Sequence, residues 1–341
     1  MKSEVDPSRI LEVGLGFWQS RTLLSAVDLG IFSLIGDGKI KGREIAAKTG
    51  MHPRGVWDFL DSLVAMNFLH RDGNGPEALY YNTTTTSQYL DKNKPAYIGG
   101  ILEMASTRLY RYWSDLTDAL RTGQPQNETR HNKESIFSVL YKNPEKLEEF
   151  MRAMKGLSEF NFSAFANKFN FSGYNTLCDV GGATGQLSIN VAKANPHIKC
   201  ISFDLPPVEP IAKKIIAEEG LSDRITTASG DFFTGSIPKA DIITMGMILH
   251  DWNLENKMHL IKLAYDALPD GGAFVAIENI IDDERRKNIF GLMMSLNMLI
   301  EFGEAFDFTG ADFDGWCREV GFSRTEVLPL QGPASAAIAY K

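Results

Sequence analysis

The sequence predicts an α/β protein, with a mostly parallel sheet in its C-terminal half and a separate helical domain at its N-terminus. From residue 171 onwards, short apolar segments of strand length alternate with segments of helical periodicity. A glycine-rich turn follows the first of these strands, and two closely spaced strands end the chain. The alternation is typical of a parallel sheet covered by helices on both faces, and the closing strand pair predicts one antiparallel edge strand.

Residues 1–105 have the pattern of a winged-helix domain. Three amphipathic helices and then a polar hairpin are predicted at 11–29, 42–48, 52–68 and 71–79. A DNA-reading helix would present basic side chains, whereas the third helix carries one Arg54 against Asp58 and Asp61. The pattern therefore disfavours a DNA-binding role.

Residues 106–170 are predicted to form a helical connection that is rich in aromatic and methionine side chains. A polar loop at 122–132 interrupts these helices. We expect most of the apolar side chains of this segment to pack between helices.

Composition limits the possible partners and location. The 341 residues carry a net charge of -8, which disfavours nucleic acids and anionic membranes as partners. No apolar segment approaches the length of a membrane span, and no signal peptide is visible. The three cysteines are scattered without the spacing of metal ligands. We therefore expect a cytoplasmic protein without nucleic-acid or membrane partners.

The glycine-rich turn at 177–186, LCDVGGATGQ, predicts a ligand at the N-terminus of a helix. An apolar strand begins at Thr176, and helical spacing resumes at Leu187. The glycines allow a tight turn, but they do not match the dinucleotide fingerprint, which requires glycine at i, i+2 and i+5. Asp179 would repel a pyrophosphate, whereas it suits a ligand with an ammonium group, such as S-adenosylmethionine.

Two further strand ends carry acids that fit the rest of such a ligand. The strand at 199–203 ends in Asp204, about twenty residues after the glycine turn, where a carboxylate can accept both ribose hydroxyls. The strand at 225–228 leads to Asp231 and Phe232, an acid for the adenine amino group and an aromatic face for its ring. Because Asp204 and Asp231 both occur at the expected places, a role in ligand binding is favoured over the alternative that each merely ends a strand in solvent.

The remaining elements complete the predicted sheet. Strands are expected at 241–247, 273–277, 325–330 and 335–340, and helices at 256–267, 289–301 and 311–320. Ligands of such sheets bind beyond the carboxyl ends of the strands. His250 and Glu278 follow the fourth and fifth strands and are therefore expected at the same edge as the glycine turn.

Residues 170–341 resemble the class I S-adenosylmethionine-dependent methyltransferase fold, which is Rossmann-like. The whole chain resembles the caffeate-type and hydroxyindole-type small-molecule O-methyltransferases of plants and their bacterial relatives. The motifs that carry the resemblance are DVGGATG at 179–185, FDLPPV at 203–208, GDFF at 230–233, ILHDW at 248–252 and IEN at 277–279.

The resemblance implies a domain organisation. It implies a dimerisation domain at 1–105, a helical connector that lines the substrate pocket at 106–170, and a donor-binding catalytic domain at 171–341. It also implies a homodimer formed through the N-terminal domain and a small aromatic substrate.

The strand ends, the helical spacing and the resemblance together predict two sets of binding residues. Residues expected to bind S-adenosylmethionine are Asp179, Gly181, Gly182, Gly185, Asp204, Leu205, Gly230, Asp231, Phe232 and Ser158. Residues expected to line the acceptor pocket are Trp113, Phe150, Met154, Met247, Met298 and Phe302. Family members often carry a lysine four residues before the histidine of ILHDW. This chain has Gly246 there, so we expect rearranged donor contacts at that position.

The predicted reaction transfers the methyl group of S-adenosylmethionine to a phenolic hydroxyl and leaves S-adenosyl-L-homocysteine. A phenol has a pKa of about 10, so a base must take its proton as the bond forms. His250 is the expected base and, with an unperturbed pKa of about 6.5, is expected to be mostly neutral at cytoplasmic pH. Glu278 is expected to hold the other ring nitrogen.

Two further acids belong to the pattern around His250. Asp307 lies where family members commonly carry glutamate, so its shorter side chain has less reach. Asp251 is expected to cap the helix that begins near Asn253. The other histidines show no clustering with cysteines or carboxylates, so we expect a reaction that needs no metal.

Other functions remain open at this point. One is methyl transfer to carbon or nitrogen, and another is a relative that has lost methyl transfer, which the presence of His250 disfavours. A winged-helix regulator that senses a small molecule is disfavoured by the acidic third helix.

Overall fold

The computed structural model describes residues 6–128, 130 and 144–341, and the chain divides into two compact units. The first comprises Met1–Arg111 and Arg152–Leu157, and the second comprises Tyr112–Met151 and Ser158–Lys341. The predicted loop at 122–132 lies partly outside the described residues. Among the described residues, no helix has both the length and the apolar character that crossing a bilayer requires.

The first unit combines helices with a small antiparallel sheet. Its helices are α1 (Ser8–Gly14), α2 (Gly16–Asp28), α3 (Ile31–Ile35), α4 (Gly42–Thr49), α5 (Pro53–Ala65), α6 (Thr84–Tyr89) and α7 (Gly99–Met104). Its strands β1 (Ile40–Lys41), β2 (Leu69–Asp72) and β3 (Leu79–Asn82) pair in the order β1-β3-β2. Helix α5 leads into the β2–β3 hairpin, so the predicted winged-helix arrangement is present. Leu60, Leu63 and Tyr80 lie in the core that joins helices and sheet.

The helix predicted at 11–29 is in fact two helices. Leu15 has φ -101° and ψ 3°, which are not helical values, and it separates α1 from α2. Gly14 and Gly16 on either side explain the break, because glycine destabilises a helix interior by about 1 kcal/mol. The two helices expose several large apolar side chains: Ile10, Leu11, Val13, Leu15, Phe17 and Trp18.

The second unit contains the large sheet. A π-helical turn at Ala105–Leu109 leads into α8 (Tyr110–Trp113), which crosses the boundary between the units in sequence. The helices that follow are α9 (Leu116–Thr122), α10 (Pro144–Lys168), α11 (Gln186–Ala194), α12 (Glu209–Glu218), α13 (Leu254–Ala267), α14 (Ile289–Phe302) and α15 (Gly310–Val320). The strands are β4 (Thr176–Val180), β5 (Lys199–Asp204), β6 (Ile225–Ser229), β7 (Ile242–Gly246), β8 (Ala273–Glu278), β9 (Arg324–Pro329) and β10 (Ser335–Tyr340).

The sheet has the strand order β6-β5-β4-β7-β8-β10-β9. Strands β4 to β8 pair in parallel, whereas β10 is antiparallel to both β8 and β9. The predicted mostly parallel sheet is confirmed, with the refinement that the antiparallel strand lies one position in from the edge. Neighbouring residues of β8, Phe274 and Val275, belong to two different buried clusters. Since successive side chains point to opposite faces of a strand, a core covers each face of the sheet.

The carboxyl ends of the five parallel strands meet at one edge. In sheet order, this edge carries Asp231 after β6, Asp204 at the end of β5, Gly181 after β4, Gly246 at the end of β7, and Glu278 at the end of β8. This edge is where ligands of parallel α/β sheets bind.

Candidate active site

The glycine turn after β4 is held against the neighbouring strand. The amides of Gly181 and Gly182 both donate to the carbonyl of Phe203, at 2.9 and 3.1 Å. Gly181 has φ +74°, and a Cβ there would lie 2.3 Å from Cδ1 of Ile248. The turn thus requires glycine for both its conformation and its space.

The carboxylate of Asp204 completes this turn. Its Oδ2 accepts the N–H of Ala183 at 2.8 Å, and its Oδ1 accepts the N–H of Leu205 at 2.7 Å. Burial raises the pKa of Asp204, although these two amides act in the opposite direction. Each oxygen retains a lone pair after these bonds, and both could accept a ligand hydroxyl.

The segment after β6 presents an acid and two aromatic rings. Asp231 is exposed, and its Oδ1 accepts the N–H of Phe233 at 2.9 Å. The half-buried ring of Phe232 packs edge-on against those of Phe233 and Trp252. A Cβ at Gly230 would lie 3.0 Å from the ring of Phe203. The carboxylate of Asp231 is therefore accessible at the edge of the sheet, next to the ring of Phe232.

Asp179 is a buried acid near the end of β4. Its side chain is only 3% exposed, and its Oδ1 accepts a hydrogen bond from Oγ1 of Thr244 on β7 at 3.0 Å. Burial raises the pKa of Asp179 to about 7. Its carboxylate links β4 to β7 beneath the glycine turn, where a Cβ at Gly182 would lie 3.1 Å from Oδ2 of Asp179. Its contact with the amino-acid part of the donor stays a prediction.

A short 3₁₀ turn at Leu249–Asp251 carries His250 directly after β7. Met247 enters the turn with φ +59°, a left-handed conformation that is strained for a residue other than glycine. The amide of Met247 donates to the carbonyl of Ile277 at 2.9 Å, which fixes the turn to β8. The position of His250 is thus set by backbone bonds between two strands.

Glu278 supports this turn through its backbone. Its Oε1 accepts the N–H groups of Ile248 and Leu249 at 3.1 and 3.0 Å, and that of His250 at 3.4 Å. The sequence predicts that this carboxylate holds the imidazole ring, whereas the hydrogen bonds of its Oε1 go to the main chain. The reason is local, since the first amides of a 3₁₀ turn lack partners within the turn.

Two aspartates also lie beside the imidazole ring. Asp307 Oδ1 is 3.5 Å from Nδ1 of His250, and Asp251 Oδ1 is 3.4 Å from Nε2. Both distances exceed those of a well-formed hydrogen bond, so the contacts are mainly electrostatic. Asp251 does not cap the next helix as expected, because Asn253 accepts the N–H of Asn256 and caps α13.

Burial and charge compete in setting the proton affinity of this cluster. Burial would lower the pKa of His250, but the carboxylates of Glu278, Asp251 and Asp307 outweigh it and raise the pKa to about 10. Burial raises the pKa of Glu278 to about 7 and that of Asp251 to about 6. The ring is therefore not mostly neutral at neutral pH, as its unperturbed pKa had suggested.

A buried lysine adjoins the same acids and was not identified from the sequence. Lys257 on α13 is fully buried, donates to the carbonyl of Trp252, and lies 3.7 Å from the centre of the Phe306 ring. Burial lowers its pKa to about 8, although Glu278, Asp307 and Asp251 act in the opposite direction. Its contacts join the segment that follows Asp251 to the segment that precedes Asp307.

The predicted metal independence remains a prediction. Within the described residues, one ligand atom from each of His250, Glu278 and Asp307 lies within 4.8 Å of the other two. Nδ1 of His250, Oε2 of Glu278 and both carboxylate oxygens of Asp307 have no hydrogen-bond partner in the part of the chain that is described. Such groups can hold either a shared proton or a cation.

Gly246 ends β7 in close contact with an aromatic ring. A Cβ at Gly246 would lie 2.7 and 2.8 Å from two carbons of the Phe162 ring, on α10. Ser158 is buried one helical turn earlier on α10, on the same face. Phe162 thus occupies the space next to the end of β7.

Predicted pocket residues lie on several elements. The indole nitrogen of Trp113 donates to Asn297 on α14 at 2.9 Å, which places the ring beside the helix that carries Met298 and Phe302. Met298 is buried, whereas Phe302 and Met247 are half-buried. Phe150 and Met154 are half-buried on α10. Their part in binding an acceptor stays a prediction.

Comparison with known proteins identifies relatives over almost the entire chain. A model of the O-methyltransferase dimerisation domain matches residues 11–92, and a model of the O-methyltransferase domain matches residues 113–323. The chain is 36% identical to TcmO of Streptomyces glaucescens, the tetracenomycin polyketide synthesis 8-O-methyl transferase, over 98% of this chain and 97% of TcmO. It is 30% identical to OxyT of Streptomyces rimosus, an N,N-dimethyltransferase, over 92% of this chain and 90% of OxyT.

A solved structure agrees with these sequence matches. The crystal structure of human N-acetylserotonin methyltransferase in complex with SAM is similar with a TM-score of 0.91 and 28% identity. The match covers 100% of this chain and 99% of the human one. The similarity therefore includes both the N-terminal domain and the large sheet.

Proposed function

Since this chain belongs to the O-methyltransferase family and uses S-adenosylmethionine as its methyl donor, we propose that it methylates a hydroxyl of a phenolic metabolite. His250 is the general base of this proposal. The observation that carries it is the position of His250, buried at the donor-binding edge between two aspartates at 3.4 and 3.5 Å.

The sheet edge fits the donor in an extended conformation. Asp231, Asp204 and Gly181 end or follow three neighbouring strands, in the order of the adenine, ribose and amino-acid parts of the donor. The carboxylate oxygens of Asp204 suit the ribose hydroxyls, and the accessible Asp231 suits the adenine amino group. The bound donor supplies an activated methyl group, so the protein must align the acceptor and take its proton.

The raised pKa of His250 suits a phenol. As the acceptor oxygen bonds to the methyl carbon and the carbon–sulfur bond breaks, the hydroxyl proton passes to the imidazole ring. A base with a pKa of about 10 matches the pKa of about 10 of a phenol, so the proton transfer is nearly balanced. Asp251 and Asp307 then stabilise the imidazolium, and S-adenosylhomocysteine is left.

The proposal is tested with labelled donor and a panel of acceptors. The purified chain is incubated with methyl-labelled S-adenosylmethionine and single-ring, naphthol-type and fused-ring polyketide phenols, each with an amine and an O-methylated analogue. We expect label on a phenolic oxygen and none on the O-methylated analogue, located by mass spectrometry and NMR. Label on nitrogen or carbon alone would overturn the phenolic proposal.

Nitrogen methylation is the second candidate, because OxyT is an N,N-dimethyltransferase with 30% identity over most of both chains. A neutral amine needs no base before attack, whereas a phenol does. The two activities thus differ in their need for His250. Transfer to an amine that survives in His250→Ala would favour this second candidate.

We also propose that the protein acts as a cytoplasmic homodimer formed through its N-terminal domain. The match to the dimerisation domain and the exposed apolar side chains of α1 and α2, among them Trp18 at 60% exposure, support this. Sedimentation analysis should give twice the mass of the chain. Trp18→Glu should shift the mass towards a monomer, while Glu12→Ala on α1 should remain dimeric. A monomeric parent protein would contradict the proposal.

A further inference from the structure

The contact between Gly246 and Phe162 has a specific place in the site. Gly246 ends β7, and its neighbours in the sheet are β4, which leads into the glycine turn, and β8, which ends in Glu278. His250 follows Gly246 by four residues. The ring of Phe162 therefore lies at the strand between the amino-acid end of the donor site and the base.

Any side chain at position 246 would displace this ring from its present position. A Cβ there would approach ring carbons Cε1 and Cζ to 2.7 and 2.8 Å, far inside van der Waals contact. The ring is only partly buried, since Phe162 packs at the margin of the core beneath it rather than within it. The side chain is therefore held by packing on the core, and part of Phe162 stays accessible.

The order of strands indicates which part of the donor reaches this ring. Adenine, ribose and amino-acid groups are assigned to the ends of β6, β5 and β4, and the methyl group must point towards His250 after β7. The sulfur joins the ribose to the amino-acid chain, so it falls beside the ends of β5 and β4, and its methyl group points towards the end of β7, one strand spacing of about 4.8 Å away. In the donor this sulfur is a cation, and cations are attracted to aromatic rings within about 6 Å.

We propose that Phe162 contacts the sulfonium of S-adenosylmethionine and favours this cation over the neutral sulfur of the product S-adenosylhomocysteine. Gly246 is the positioning residue that allows the ring to reach it. The inference rests on the proposed placement of the donor along the sheet edge and is independent of the acceptor. Its consequence is selective retention of the donor and easier release of the product.

The test compares three ligands by titration calorimetry, without any acceptor. S-adenosylmethionine and sinefungin, which carries an ammonium group near the position of the sulfonium, represent the cation; S-adenosylhomocysteine represents the neutral form. Phe162→Leu should weaken binding of the two cationic ligands about five- to tenfold, and that of S-adenosylhomocysteine less than about twofold. Phe162→Tyr keeps a ring and should retain the parent preference.

If Phe162→Leu does not fold, a second variant tests the same contact. Gly246→Ala displaces the ring and should produce the same selective loss. Phe169→Leu is the matched control, because it removes a phenylalanine from the core beneath without reaching the strand end. Phe169→Leu should change the affinities for the charged and the neutral ligands by the same factor.

The outcomes separate this inference from the proposed function. Selective loss of the cationic ligands supports it. Equal loss for all three ligands in both variants, or no loss, overturns it and leaves Phe162 as packing alone. A parent protein that binds none of the ligands overturns the donor placement itself. A parent that binds them but methylates no phenol overturns only the proposed acceptor.

Discussion

The carboxylate of Asp307 lies 3.5 Å from Nδ1 of His250, and both side chains are almost completely buried. The short side chain of Asp307 therefore still places its carboxylate beside the ring. The two residues come from distant segments, and the negative charge of Asp307 helps to hold a proton on the ring.

This pair predicts a pH dependence of turnover. Only the neutral ring can accept a proton, and the pKa of His250 is raised to about 10, so kcat/KM should rise with pH from 7 towards 10. Asp307→Asn removes one negative charge, lowers the pKa of His250 and should move this rise to lower pH. The same acceptor is used for both proteins, so its own ionisation cancels. An unchanged profile in Asp307→Asn would contradict the role of Asp307.

Removal of the ring should separate chemistry from donor binding. His250→Ala is expected to lower kcat at least about a hundredfold, because the base is lost. The affinity for S-adenosylmethionine, measured by calorimetry, should stay within about twofold of the parent, because the proposed donor contacts are elsewhere. A large loss of donor affinity would instead identify His250 as a structural residue.

Glu278 should affect stability through the amides that it accepts. Glu278→Ala leaves the buried N–H groups of Ile248, Leu249 and His250 without their acceptor, at a cost of about 2–3 kcal/mol. Glu278→Gln keeps an oxygen in place and should melt much closer to the parent while turning over more slowly. Equal melting temperatures for all three proteins would show that the carboxylate does not support the turn.

Lys257 predicts a pH dependence of stability. Its pKa is lowered from 10.5 to about 8 in the folded chain, so between these values the unfolded chain binds the proton that the native chain has lost. The contribution of Lys257 to the free energy of unfolding therefore increases by about 3 kcal/mol between pH 8 and pH 10.5.

The stability difference between the parent and Lys257→Met reports this effect, because titratable groups away from the buried cluster of His250, Glu278, Asp251 and Asp307 titrate equally in both. As the pH rises from 8 to 10.5, the free energy of unfolding of the parent should increase relative to that of Lys257→Met, as measured by denaturant unfolding. Lys262→Met, on the exposed face of the same helix, controls for the loss of a lysine. A difference that stays constant with pH would contradict the buried state of Lys257.

Chelation tests the prediction that no metal takes part. His250, Glu278 and Asp307 approach one another closely enough to bind an ion, but their roles in the proposed reaction need only protons. Activity should therefore persist after treatment with EDTA and dialysis. Loss of activity that added Mg²⁺ restores would contradict the prediction.

The sheet could be predicted from the sequence because strand signals are local. The start of β4 at Thr176 and both ends of β10 agree with the predicted bounds, and each strand end that the motifs marked lies on one edge. Periodicity and turn residues suffice for such elements. Relations between neighbouring strands follow from the topology of parallel sheets.

The details of the site could not be predicted, because they depend on which backbone groups lack partners in three dimensions. Glu278 accepts amides of a 3₁₀ turn that no pattern had indicated, and Asn253 rather than Asp251 caps α13. Lys257 did leave a signal. It occupies the buried stripe of α13 together with Leu260, Ile261 and Ala264, at helical spacing where an apolar residue is usual.

The order of residues along the sheet edge has a consequence for redesign. In the proposed placement, the adenine, ribose and amino-acid parts of the donor and the acceptor lie at different strand ends, so the residues that recognise each part can be changed separately. An engineer can enlarge the segment after β6 to admit a donor with a modified base while leaving the turn that carries His250 intact. The same division would let the acceptor pocket change in natural variants while the binding of S-adenosylmethionine is kept.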